Sequence, residues 1–298
     1  MITGANGHLG QRMIARLATH VTVTALVRSE HAAGLVRKAL ENKPYSTNVS
    51  IRVHDYTDLK KLAESLNGCR SVIHLVGIIK ESANSTYVQA QEDTTQALVS
   101  AATSAGIERI VYVSIAGADR TSNNACLASK GRAEDILLNS LIPSLILRIP
   151  MVLGQGDYAT AALERRAQSR LVMLLRGASL EQPIYAPDVE EALLKGVSCD
   201  LVDSTILELA GPESLSRRNL TLRAARVLGK TPLIVSLPYF LGATMAGLLE
   251  KLSNSPPVTR AMLGVLDHDD QVDPMPAREW LGIELTPLDV MLKVLISP

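Results

Sequence analysis

Thr3-Gly4-Ala5-Asn6-Gly7-His8-Leu9-Gly10 is the stretch on which the reading of this chain turns. Its glycines recur every third residue. A glycine at each position lets the backbone turn tightly, approach a pyrophosphate, and pack a following helix against the preceding strand. Amides at the start of that helix would then face phosphate oxygens, with the helix dipole adding positive potential. Gly4, Asn6, Gly7, His8, Leu9 and Gly10 are therefore the expected diphosphate-binding residues of a dinucleotide site. His8 falls at a variable position of the motif, where its side chain is expected in solvent. Such a string is weak evidence by itself, and its weight depends on the pattern of the residues after it.

Those residues carry a strand–helix rhythm. Leu9, Met13 and Leu17 share one helical face, and residues 21–27 then read as a strand. Further strands are expected at 49–53, 71–76, 109–114 and 144–149, with long helices over 85–105 and 129–141. Alternation of this kind predicts an α/β fold, a doubly wound parallel sheet of the Rossmann type. Ligands then bind at the carboxyl ends of the strands. Only Met1 and Ile2 precede Thr3 and the turn, whereas strands usually have about five or six residues. Either the biological start lies upstream, or the central strand is unusually short.

After Pro150 the rhythm breaks and Gly and Pro become denser. Residues 1–150 are read as the dinucleotide-binding domain. Residues 151–298 are read as a smaller C-terminal lobe folded over the cofactor edge, able to lend an element back to the sheet. Ser216 is placed to cap a helix that Gly229 ends.

The end of the second strand distinguishes the two nicotinamide cofactors. An acid there holds the ribose hydroxyls of NAD, and a cation suits the extra phosphate of NADP. This chain has Arg28 and Ser29, with no acid before Glu30. Because guanidinium matches phosphate geometry, NADP(H) is favoured and NAD(H) remains the alternative. Asp55 follows the third strand and is placed for the adenine. Val76 and Gly77 follow the fourth, near the ribose and pyrophosphate. His74, inside that strand, is read as a core histidine.

Composition narrows the classes further. Lys plus Arg and Asp plus Glu each number 30, so bulk charge gives no reason to expect a nucleic-acid partner. Cys69, Cys126 and Cys199 are few and widely spaced, which predicts reduced thiols and a cytoplasmic setting. No signal peptide is expected, since the sequence goes straight into the glycine motif. Residues 231–249 carry no charge, but Pro238, Gly242 and Gly247 interrupt them. They read as a strand or turn and a helix, packed in the core or facing a protein or membrane-surface partner. The second case would make the chain peripheral to the inner membrane.

The segments together resemble the short-chain dehydrogenase/reductase superfamily in its extended or atypical branch. They are closest in pattern to the Rossmann-type accessory subunit of respiratory complex I and its bacterial relatives. The likeness rests on residues 3–10, Val27-Arg28, His54-Asp55, 74–78, 113–119, Ser129-Lys130, 154–157, 182–185 with Asp188-Val189, and 209–212. Catalytic members of the superfamily use a Tyr-x-x-x-Lys pair with a nearby Ser or Thr. The resemblance places Lys130 at the lysine, as a ribose contact, but Cys126 at the tyrosine. The serine position falls at about Ile115, with Ser114 one residue before it.

An ordinary phenol near pKa 10 needs the lysine's tuning to move protons at neutral pH. Without it, the resemblance implies a dinucleotide-binding protein of weak or no oxidoreductase activity, set in respiratory-complex or quinone metabolism. Two alternatives stay open. One is an active NADPH-dependent reductase or epimerase-type enzyme using Cys126, its thiol pKa lowered by Lys130, or a tyrosine from elsewhere (Tyr87, Tyr158 or Tyr185). The other is an interaction module without dinucleotide. The acidic run at 267–270 with Asp273 lacks a calcium-loop pattern and reads as a solvated loop.

Overall fold

The computed structural model of the chain describes residues 1–82, 84–252, 259–265 and 269–296. Six strands open the chain: β1 (Ile2–Thr3), β2 (Val23–Val27), β3 (Val49–Val53), β4 (Ser71–His74), β5 (Arg109–Ile115) and β6 (Ser144–Ile149). Five helices alternate with them: α1 (His8–Leu17), α2 (Glu30–Leu40), α3 (Leu59–Leu66), α4 (Thr94–Ser104) and α5 (Ala125–Leu138). Beyond them come short strands β7 (Val152–Leu153), β8 (Leu171–Leu175), β9 (Leu180–Glu181) and β10 (Ile184–Tyr185), with helices α6 (Tyr158–Gln168) and α7 (Ala186–Ser198). The rest comprises β11 (Thr205–Glu208), β12 (Leu215–Ser216), α8 (Arg217–Val227), β13 (Leu233–Leu237) and α9 (Tyr239–Leu252). Short helices α10 (Arg260–Val265), α11 (Met275–Leu281) and α12 (Leu288–Leu295) complete it.

Seven strands pair in the order β11-β6-β5-β4-β1-β2-β3, every pair parallel. This is the doubly wound sheet expected from the sequence. Chain order reverses at β1, whose two residues pair on both sides: Ile2 with Ala25 and Ile73, Thr3 with Leu26 and His74. A crevice opens at such a reversal, beyond the carboxyl ends of the strands. The seventh strand, β11, comes from the second half and lies beside β6.

Both faces of the sheet are covered. Met13, Ile14, Val36 and Leu193 bury one face, together with Leu281 and Ile283 from near the end of the chain. Leu62, Leu98, Leu137 and Tyr112 bury the other. Past β6, three two-stranded ribbons (β7 with β10, β9 with β12, β8 with β13) accompany a smaller core around Leu163, Leu220 and Met291.

Several boundaries differ from the sequence reading, each for a local reason. β2 starts at Val23, because the amides of His20 and Val21 still bond the Leu17 carbonyl at the end of α1. The fourth strand ends at His74, where the chain swings past Gly4. The helix expected over 129–141 begins at Ala125, since the Asn124 side chain accepts from the amides of Cys126 and Leu127 at 3.0 and 3.3 Å. The helix expected over 85–105 is a π-type turn at Val88–Asp93 running into α4. Ser216 does cap α8, accepting from the Asn219 amide at 3.1 Å, and Gly229 at φ +65° follows its end.

Polar anchors tie the later segments down. Gln182 donates to the carbonyls of Gly211 and Val272 and accepts from the Val272 amide, at 2.7, 2.9 and 2.8 Å. Buried Asp188 accepts from the Thr286 amide and hydroxyl, both at 2.7 Å. Gly211 lets the chain pass against Pro183, whose carbonyl oxygen occupies the space a Cβ would need. Gly211→Ala should therefore destabilise the fold by about 2–4 kcal/mol, since backbone has to move. Urea unfolding checks it, and a midpoint matching the parent would contradict this packing.

Candidate functional site

Gly4 sits at φ +67°, and a Cβ there would lie 3.0 Å from the Leu75 carbonyl. Gly10 packs tighter still: a Cβ would meet the Gly4 oxygen at 2.7 Å and the Ala5 Cα at 2.8 Å. Only glycine permits this coil against β1 and the segment after β4. Gly7 is the N-cap of α1, and it has no side chain to satisfy the first-turn amides. The first turn also holds no acid, so its amides and dipole present positive potential.

That helix start opens into a cleft of about 640 Å³ at the β1 switch point. Gly4, Asn6 and Gly7 line it, with Arg28 from the end of β2, Asp55 from after β3, and Val76 and Gly77 from after β4. Residues from four segments distant in the chain thus meet as the glycine motif predicted. His8, Leu9 and Gly10 do not line the cleft with their side chains. Leu9 packs on the core, and His8 is exposed, with Nδ1 3.4 Å from an Asp157 oxygen.

The sequence reading missed the far wall. Ser29, His31, Tyr56, Thr57, Asn84, Ser85, Gln89 and Asp93 also line the cleft. The π-type turn brings Gln89 and Asp93 there, and turns of this kind recur at functional sites. Tyr56 braces the glycine turn: the Gly4 amide donates to its hydroxyl at 3.1 Å, and that hydroxyl donates to the Leu26 carbonyl at 3.3 Å. Burial pushes the Tyr56 phenol up to about 12. Arg28 is exposed and donates to the Ser85 hydroxyl at 3.4 Å, spanning from β2 to the opposite wall. The Asp55 carboxylate takes the Thr57 amide and hydroxyl at 2.8 and 2.6 Å, and these bonds hold its pKa below the ordinary range.

Beneath Gly77 lies Lys130. A Cβ on Gly77 would come 3.1 Å from Nζ, so this glycine admits the ammonium. Nζ donates to the Tyr112 hydroxyl and the Val113 carbonyl at 2.9 Å each, and sits 4.4 Å from the Tyr112 ring centre. Burial lowers the Lys130 pKa to about 8. Tyr112 stacks on His74, whose Nδ1 and Nε2 lie 2.6 Å from the Thr3 and 3.2 Å from the Thr95 hydroxyls. Because Thr95 donates to the Gln91 carbonyl at 2.5 Å, its oxygen accepts the Nε2 proton. His74 is then a neutral core histidine, as expected, with burial holding its pKa down to about 3.

The catalytic candidates need correction. Cys126 is fully buried, donating to the Ile78 carbonyl at 3.6 Å and accepting from the Gln91 amide at 3.8 Å. Burial raises its thiol pKa, and this outweighs Lys130, so the lowered thiol pKa expected from the sequence is not found. Ser114 is buried as well and donates to Glu134 at 2.5 Å. Glu134 is held bidentately by Arg148 at 3.0 and 2.6 Å, which makes Ser114 part of a buried ion-pair network. The other tyrosines do not enter the cleft: Tyr87 donates to the Ile79 carbonyl, Tyr158 is 79% exposed, and Tyr185 packs on the smaller core.

Of the acidic run, Asp267 and His268 lie outside the described residues. Asp269 accepts from the Ser179 hydroxyl and Leu180 amide at 2.6 and 2.9 Å. Among the described residues no cluster of three His, Cys, Asp or Glu could hold a metal. No helix among them is long and apolar enough to cross a membrane.

Residues 4–171 match the model of an NAD(P)H-binding protein family, and the chain belongs to that family. It is 23% identical to the 40 kDa subunit of mitochondrial NADH-ubiquinone oxidoreductase from Neurospora crassa over 291 residues, 97% of this chain and 76% of that protein. It is 26% identical to a ceramide reductase of Caulobacter vibrioides over 263 residues, 86% of this chain and 80% of that one. A UDP-N-acetylglucosamine 4-epimerase structure from Bacillus cereus shares the fold with a TM-score of 0.71 at 18% identity, covering 99% of this chain and 96% of its own. A UDP-glucuronic acid 4-epimerase from the same organism, bound to UDP-glucuronic acid and NAD, scores 0.74 at 16% identity, with the same coverage. At such identities the structures share the fold alone. The resemblance to the atypical branch of the superfamily, with complex I subunits among the relatives, therefore stands.

The buried lysine predicts a pH effect. Lys130 loses its proton near pH 8 in the folded protein and near 10.5 in the unfolded chain. The cost of burying the ammonium is fully present below pH 8 and fades as pH rises to 10.5. Wild type should thus gain stability relative to Lys130→Met between those values. Urea unfolding of both proteins at pH 7.5 and 10 measures the gap, and a gap independent of pH would contradict the shift.

Proposed function

We propose that this chain holds NADP(H) at the β1 crevice as a structural or sensing ligand and lacks the standard proton-transfer pair. The observation that carries the proposal is the complete glycine turn at the cleft, with Cys126, which the resemblance puts at the tyrosine position, buried away from it. Among the described residues Tyr56 is the one tyrosine lining the cleft, and its hydroxyl is committed to Gly4 and Leu26. Gly4, Asn6, Gly7 and the first-turn amides of His8, Leu9 and Gly10 would hold the diphosphate. Val76 and Gly77 would flank the ribose, Asp55 the adenine, and Lys130 the nicotinamide ribose. A bound nicotinamide cofactor supplies hydride chemistry. The chain's own part would be to bind, orient and shield it.

Arg28 is the proposed reader of the extra phosphate. Its removal should weaken NADPH binding about tenfold and leave NADH unchanged, the scale of one charge-assisted hydrogen bond. Calorimetric titration of Arg28→Ala with both cofactors decides it. An unchanged preference for NADPH would remove the assignment.

The complex I relative suggests a setting in which a partner covers the apolar face at 231–249. Leu233, Val235, Phe240, Leu241 and Met245 are all exposed there. A second reading, an active reductase, draws support from the ceramide reductase relative and from Lys130. An ammonium with a pKa near 8 can itself give a proton near neutrality. The two readings separate in one assay. The first expects protein carrying NADPH that no ketone, quinone or keto-lipid oxidises; turnover abolished by Lys130→Met would establish the second.

A further inference from the structure

Among the described residues Arg28 is the one Lys or Arg that lines the crevice at β1, and two carboxylates, Asp55 and Asp93, line it as well. Glu30 is drawn aside, its carboxylate accepting from Arg37 at 3.1 Å. A phosphate monoester brings a charge of about −1.5 to −2 at neutral pH. One guanidinium beside two acids suits such an anion poorly unless neutral donors reach it too.

The bond between the two walls shows where such a donor stands. Nη1 of Arg28 donates to Oγ of Ser85 at 3.4 Å, across 57 positions of chain. Neither side chain has another hydrogen-bond or ion-pair partner among the described residues. The Nε–Nη2 edge of the guanidinium is therefore open, and that edge can fork onto two oxygens. The Ser85 proton is open too, because Oγ meets Nη1 with a lone pair. Ser85 is held in place, 5% exposed, with its amide bonded to the Ser82 carbonyl at 3.2 Å and its carbonyl to the Ser82 amide at 3.0 Å. Further on, the Tyr87 amide donates to Glu81 at 2.7 Å and the Tyr87 hydroxyl to the Ile79 carbonyl at 3.0 Å. A donor fixed in advance loses little freedom on binding.

We propose that Ser85 is a second specificity-determining residue of this crevice, clamping the extra phosphate against Arg28 from the opposite wall. The Nε–Nη2 edge of Arg28 takes two phosphate oxygens, and the Ser85 hydroxyl donates to the phosphate from across the cleft. The clamp rests on the reading of the crevice as an NADP(H) site. With NADH the same hydroxyl meets a neutral ribose hydroxyl at most, and a neutral bond is about half as strong as a charge-assisted one. Ser85 thus adds to the discrimination without adding charge.

Calorimetric titration with NADPH and with NADH tests the clamp. Ser85→Ala should weaken NADPH about tenfold and NADH by no more than about twofold, so the NADH titration also reports that the variant is folded. Ser85→Asp puts a carboxylate against Arg28 and should abolish the preference for NADPH. In an Arg28→Ala background, Ser85→Ala should change NADPH affinity by no more than about twofold, because the phosphate is no longer held against it. A Ser85→Ala protein that binds NADPH as the parent does, or more tightly because Arg28 is released, overturns the clamp. Equal losses for both cofactors overturn it as well. A parent that binds NADH as tightly as NADPH refutes the NADP(H) reading and the clamp with it. A preference removed by Arg28→Ala but untouched by Ser85→Ala refutes the clamp alone.

Discussion

The tight crossing of backbone at Gly4 is the constraint on which the rest of the site depends. β1 is two residues long, yet it is the hinge of the sheet, paired with β2 on one side and β4 on the other. The chain must leave it, turn at positive φ against the Leu75 backbone, and enter α1 at once. A side chain at Gly10 would push α1 from the turn, and one at Gly4 would press on the backbone after β4. Tyr56 completes the crossing from outside, by taking the Gly4 amide that the turn leaves unpaired in the sheet.

Further contacts hold α1 in place from the second half of the chain. Arg12 grips Asp157 with two hydrogen bonds of 2.9 and 3.0 Å, and Arg16 reaches Glu191 at 2.8 Å. Gly154 is bare because the Arg12–Asp157 pair fills the space beside it. The position of the phosphate-facing amides is thus set by residues more than a hundred positions away. Second-half residues from β11 and α11 also join the sheet and its core.

The floor of the cleft shows how burial rather than residue type sets chemistry. Lys130, Tyr112 and His74 form one buried column under Gly77. The same low-dielectric surroundings lower the lysine and the histidine and raise the phenol. Cys126 lies within this environment, so its thiol is raised despite a cation nearby. Ser114, one position from the expected hydroxyl, is diverted into the pair of Glu134 and Arg148. Such diversions depend on which side of a strand a residue faces and on what packs opposite.

The amino-acid sequence by itself determined the parallel sheet, the glycine turn, and the contributions of Arg28, Asp55, Val76 and Gly77 to one crevice. These follow from short-range spacing: glycine where φ must be positive, β-branched runs of strand length, and loops at the carboxyl ends of strands. That Cys126 stands where the superfamily has its tyrosine, four positions before Lys130, was an expectation carried by the family resemblance. Only the tertiary structure decided the far wall of the cleft, the service of Tyr56 to Gly4, and the fate of Cys126 and Ser114. It also brought Ser85 against Arg28 across the crevice. Their environments are made by segments distant in the chain, and desolvation and hydrogen-bond pairing depend on what surrounds a group in space. Local spacing carries no record of that.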